Sequence, residues 1–154
     1  GANPAEWRAY WEADDALFRS ETGAPGASSA DLIRRYAGGL PVTPGTMDNP
    51  LWRRFAWWLE WADFVKESGR EPASLDEYVE WSQARQAAAL ALAIRSCKAR
   101  FPGIGGIILW MGHDGFPCAA NTAIVDFEGR PKPAALAAAE IWRTPVGELQ
   151  AAKG

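Results

Sequence analysis

The sequence predicts a helix-rich α/β chain whose few strands run parallel. Three observations carry that expectation. The run "GGIILW" at 105–110 is apolar without alternation, the habit of a strand buried on both faces in a parallel sheet. The alanine-rich segment 75–100 places Leu90, Ile94 and Cys97 on one stripe at helical spacing. The order along the chain is strand, helices, strand, loop, helix, and two strands joined by a helical crossover are parallel.

The first strand is expected over Ala16–Glu21, "ALFRSE", ended by the Gly and Pro of "TGAPGASS". Ser28 or Ser29 then caps a short helix through "ADLIRRY". "AGGLPVTPGTMDNP" follows as a long irregular connection, a kind of loop that is uncommon in compact domains and tends to be functional. Asp48 or Asn49 is expected to open the next helix, with Pro50 in its first turn. Trp52, Phe55, Leu59 and Ala62 share one face of that helix, and Trp57, Trp61 and Phe64 another, so both faces should be covered. Gly69 suits its C-cap and Pro72 prevents continuation. Ser74 and Glu77 form a capping box that opens the alanine-rich helix, and Phe101-Pro102-Gly103 stops it. After "GGIILW" comes a glycine-rich loop, then "TAIVDF" as a short extended piece, then a proline-started helix in "GRPKPAALAAAEIWR".

With 154 residues the chain has the length of one domain, and 48% hydrophobic residues argue against disorder. A net charge of −3 with interspersed signs gives no footprint for nucleic acid or an anionic membrane. No apolar run approaches the ~20 residues needed to span a bilayer. The first residues, "GANPAEWRAY", lack the regions of a signal peptide, so the chain is cytoplasmic or a leader has been removed. Cys97 and Cys118 make no disulfide framework, and His113, Asp114 and Cys118 are too few ligands for a zinc site, so no metal is expected. Tryptophan is the unusual residue: nine in all, five of them between Trp52 and Trp81. Such a density fills a large core or lines a surface that grips flat faces, sugars among them.

Two parallel strands cannot form a stable sheet alone, because their outer edges stay unpaired, so the pattern reads as a portion of something larger. Parallel architectures carry their chemistry at the carboxyl ends of strands. One such end delivers Glu21; the other delivers Trp110, His113 and Asp114. If the strands are neighbours, a carboxylate and an indole flank one hollow. The bland alternatives are a solvated Glu21, a Trp110 that closes the core, and a His113–Asp114 pair that only stabilises the loop.

"FRSETGAPG", followed in order by "SLDEYVEWSQARQ", "GGIILWMGHDGFPC" and "DFEGRPKPA", resembles the last part of the catalytic barrel of glycoside hydrolase family 2, in its β-mannosidase-like branch. The likeness runs from about Phe18 to Trp142 and includes the Ser82-Gln83 pair. It implies that residues 1–154 are the carboxyl-terminal segment of a partial (β/α)8 TIM barrel, the last two strands with their helices. By the same resemblance Glu21 aligns with the nucleophile of a retaining glycosidase, and Trp110 with the floor of the reacting-sugar subsite. The Trp110–Met111 peptide is then expected to be cis, and Asp114 to hold hydroxyls or order the loop. Thr22, His113 and Phe116 depart from the family pattern, where an aromatic, Asn and Trp are usual, which bears on the choice of sugar. The acid/base glutamate of the family has no counterpart in the sequence. The resemblance therefore implies a carbohydrate substrate, no cofactor, and a segment inactive alone that needs the remaining barrel or self-association through strand edges. A non-catalytic carbohydrate-binding module and a purely structural fragment are the alternatives.

Overall fold

A computed structural model describes residues 4–152. Helix α1, Pro4–Ala13, precedes strand β1, Arg19–Thr22, and the two-residue strand β2, Gly26–Ala27. Helix α2, Ala30–Tyr36, leads through the long loop to a 3-10 segment, Trp52–Trp58, and helix α3, Trp61–Ser68. Helix α4, Leu75–Ala99, is followed by β3, Ile107–Leu109, and β4, Ala120–Asn121. Helices α5, Pro133–Arg143, and α6, Val146–Ala151, close the chain.

β1 and β3 pair in parallel, with Arg19 opposite Ile107 and Thr22 opposite Leu109, as the crossover order predicts. α4 makes the crossover, and α1 and α5 pack against it. β2 and β4 pair antiparallel in the loops beyond β1 and β3, forming a second small sheet above the first.

Several caps follow the sequence. The Ser29 side chain accepts from the Leu32 amide, and Gly69 ends α3 in the left-handed conformation at φ 69°. The Ser74 hydroxyl accepts from the Glu77 amide at 3.1 Å, while the Glu77 carboxylate reaches back to the Ala73 amide at 2.5 Å.

Three expectations are corrected. The continuous helix expected from residue 48 or 49 is instead a 3-10 segment kinked at Phe55, an extended Leu59, and then α3. The Asn49 side chain does not start a helix. Its amide donates to the carbonyls of Pro41 and Pro44, both at 2.9 Å, and its oxygen accepts from the Leu51 amide. Tertiary packing has overridden the periodicity: Trp52 and Trp61 both turn inward onto Tyr78, at ring distances of 5.6 and 4.8 Å, and a straight helix cannot aim both there. Of the second face, Trp61 and Phe64 are buried in the core as expected, and Trp57 is left 89% exposed.

The second correction concerns the strand 105–110, which is not buried on both faces. Ile107 and Leu109 pack against the helix layer, whereas Ile108 is 53% exposed and Trp110 45%. Period-two alternation sends those two side chains to the face that no helix covers. β1 likewise begins later than expected, and Leu17 and Phe18 are exposed. Third, "TAIVDF" forms only isolated bridges at Val125, to His113 and Pro131, and not a strand.

Most of the core lies outside the sheet. Trp52, Phe55, Trp61, Phe64, Leu75 and Tyr78 pack with Ile33, Cys118 and Ala120 into one cluster that joins the 28–79 excursion to the β3–β4 loop. Fully burying a large apolar side chain contributes about 1.5–3 kcal/mol, so this excursion carries much of its own stability. Two smaller clusters lie between α4 and its neighbours: Ile94, Ala138 and Ile141 in one, Trp11, Ala93, Cys97 and Ile104 in the other.

Candidate functional site

The carboxyl ends of β1 and β3 meet at one rim. The Trp110 amide donates to the Thr22 carbonyl at 2.8 Å, which sets the two strand ends side by side. Gly23 is required there, since a Cβ at that position would stand 2.2 Å from the Trp110 carbonyl oxygen. Glu21 is exposed at the end of β1, and Trp110 is exposed at the end of β3, joined to Met111 by a cis peptide. Trp58 meets Trp110 edge to face at 5.9 Å, so the 3-10 segment supplies a second indole to this rim.

The remaining two candidates diverge. His113 is exposed on the loop, and its backbone bridges to Val125. Asp114 points the other way and is only 1% exposed. Its Oδ1 accepts from the Asn121 amide at 2.7 Å, and its backbone N–H donates to the Val125 carbonyl at 3.1 Å. In place of the alternative His113–Asp114 pair the structure has an Asp114–Asn121 pair, and Asp114 orders the loop from below. Lys132 enters the same buried space, where its ammonium donates to the Gly26 carbonyl at 3.0 Å. Burial pulls that ammonium down from the usual lysine range, and the Asp114, Cys118 and Asp126 side chains oppose the shift. Burial and the Asp114 carboxylate push the Cys118 thiol up to about 12, which makes it an inert core residue.

α4 fixes the segment after β1 by a stripe of polar side chains. The Ser82 hydroxyl accepts from the Ala27 amide at 3.0 Å, and the Gln83 amide donates to the Ala27 carbonyl at 3.1 Å. One turn on, the Gln86 amide reaches the carbonyls of Ala24, Thr122 and Ala123 at 3.0–3.3 Å. A buried side chain thus ties the loop after β1 to the loop after β3, which holds the two halves of the rim in register. Gly26 is needed for this approach, because a Cβ there would meet the Gln86 Oε1 at 2.3 Å.

Sequence reasoning missed Glu60. It sits where the expected helix breaks, only 6% exposed, and its carboxylate accepts from the Ser82 hydroxyl at 3.1 Å and from Arg85 Nε at 3.2 Å. Burial pushes its carboxyl up to about 7, against the opposing pull of Arg85 and Ser82. The available signal was a lone carboxylate inside the aromatic run "WWLEW". Among the described residues, no group of three or more His, Cys, Asp or Glu is placed to hold a metal ion. No helix among them is long and apolar enough to cross a membrane.

No protein-family model matches the chain, and no curated protein sequence matches it. Among solved structures it is similar to the crystal structure of a β-D-mannosidase from Dictyoglomus thermophilum, with a TM-score of 0.67 and 22% identity. The alignment covers 89% of this chain and 17% of that one. The class defined at this point is a helix-rich α/β unit with a parallel strand pair. The particular likeness is one of fold, to about a sixth of a glycosidase, as the 17% coverage of that chain states.

Proposed function

We propose that the chain is the carboxyl-terminal segment of the catalytic barrel of a retaining β-glycosidase of family 2, β-mannosidase-like. Glu21 is its nucleophile and Trp110 its sugar platform. The observation that carries this reading is the parallel β1–β3 pair, whose Trp110–Thr22 hydrogen bond of 2.8 Å brings an exposed carboxylate and an exposed indole to one rim. The fold likeness to part of a β-mannosidase supports it, and so does the bare face of the sheet, where Ile108 and Trp110 await further strands.

In this reaction the Glu21 carboxylate attacks the anomeric carbon, and the glycosidic C–O bond breaks as a second carboxylic acid protonates the leaving oxygen. Water then cleaves the glycosyl ester with that residue acting as base, the two carboxyl groups lying about 5–5.5 Å apart. The indole of Trp110 offers its face to the C–H side of the sugar. His113 borders the subsite on the exposed side, and Asp114 holds the loop that carries both. The second carboxyl belongs to the rest of the barrel, so the 154-residue chain alone is inactive.

The test is made in the full-length enzyme by following the anomers of the first-formed product by NMR. Retention of configuration, with Glu21→Gln lowering kcat by at least about a thousandfold while the protein stays folded, is the expected result. Inversion, or a fully active Glu21→Gln enzyme, contradicts it.

A further inference from the structure

A cavity of about 420 Å³ opens between α1, the 3-10 segment and α4. Trp7, Trp57, Glu60, Asp63, Arg85 and Gln86 line it together with the Thr22–Pro25 backbone, and no residue of β3 or of the loop after it does so. We propose that this cavity is a second carbohydrate-binding site, separate from the rim of Glu21 and Trp110, which takes a pyranose unit of a neutral saccharide with Trp57 as its stacking platform.

The volume falls within the roughly 300–1,000 Å³ of small-molecule sites. Its lining combines the two surfaces that a sugar presents in reverse. Trp57 offers a flat apolar face, and at 89% exposure it is by far the least covered tryptophan of the chain. An indole is a large rigid surface that contacts the C–H face of a pyranose well. Opposite in character, Glu60, Asp63 and Arg85 supply carboxylate and guanidinium groups that bond hydroxyls, while the buried Gln86 amide is already taken by the carbonyls of the two loops.

Arg85 is the one cation among the lining residues, and it is held within the wall. Arg85 pairs with Glu60 at 3.2 Å and with Glu67 at 2.5 Å, and its guanidinium lies over the rings of Trp7 and Trp81 at 4.8 and 5.4 Å. An anionic ligand meets the Glu60 and Asp63 carboxylates with the one guanidinium already paired, and a purely apolar one leaves the carboxyl groups without exchange for water. A neutral, hydroxyl-rich ring satisfies both. Ser82 and Arg85 hold the Glu60 carboxylate from behind, and the Tyr78 hydroxyl accepts from its backbone amide at 3.3 Å, so the wall is preorganised. None of this depends on Glu21 being a nucleophile.

The 154-residue chain is titrated with mannobiose and with cellobiose, binding being read by tryptophan fluorescence and saturation-transfer NMR. One or both disaccharides bind, Trp57→Ala weakens binding at least tenfold, Trp57→Phe keeps most of it, and Trp142→Ala on α5 changes nothing. Trp57 is exposed, so its substitution leaves the fold intact. The proposal is overturned if neither disaccharide binds, if Trp57→Ala binds normally, or if adenosine binds in place of the sugars. Loss on Trp110→Ala with Trp57→Ala unaffected also overturns it, and leaves the reading of the Glu21 rim standing.

Discussion

Two buried carboxyls illustrate how residue-level environment sets behaviour. Glu60 is held up to about 7 by burial, from an ordinary value of 4.5. Between those values the folded chain binds more protons than the unfolded one, so stability is greatest below the lower value and falls as pH rises toward 7. The fall is on the order of 3 kcal/mol if the whole shift is realised. Glu60→Gln should remove most of that slope, which urea midpoints at about pH 5 and about pH 8 will read. Asp114 is the second case: Asp114→Ala takes the carboxylate from the buried Asn121 amide and leaves it only the weak acceptor Cys118 Sγ, and a loss of about 1–3 kcal/mol is expected in urea unfolding. Glu21, Trp110 and His113 were legible in the sequence as residues at strand ends. Asp114 was legible only as a choice between loop-holder and ligand, because nothing in a loop sequence states which way a side chain turns. Glu60 was marked only as a lone carboxylate in an aromatic run, because its burial depends on a helix break made by distant aromatics.

At the scale of elements, local signals were read well and long-range ones were not. Ser29, Gly69 and Ser74 cap where the sequence placed them, since a cap is decided within one turn. Ser74→Ala should therefore cost about 1 kcal/mol in thermal or urea unfolding. The aromatic run 52–64 looked like one helix because spacing alone was considered, whereas Tyr78 on α4 draws Trp52 and Trp61 to itself from different directions. The role of Gln86 was equally hidden, since three carbonyls from two separate loops converge on it. Gln86→Leu strands those carbonyls, and faster amide exchange across residues 22–27 and 121–125 is the expected consequence, measured by NMR.

For the whole molecule, the two-stranded sheet is the weak point and the informative one. β1 and β3 each have one partner, and their far edges are unpaired among the described strands. The parallel pairing was legible from strand, crossover and strand, but burial was not, because an apolar run reports what a strand expects to meet and not what this chain supplies. Ile108, Leu17 and Phe18 are exposed as a result. Open edges beside apolar side chains promote pairing between copies. Light scattering on the purified chain should give a mass above the monomer that falls when Ile108→Lys is introduced; a strictly monomeric parent chain contradicts that expectation.

The central claim is that one rim presents a nucleophilic carboxylate beside a sugar-stacking indole. The most direct measurement is peptide mapping of the full-length enzyme after inactivation by a 2-deoxy-2-fluoro-β-mannoside. A single fluoroglycosyl ester on Glu21, lost in Glu21→Gln, is the expected result. An ester on any other carboxylate contradicts it.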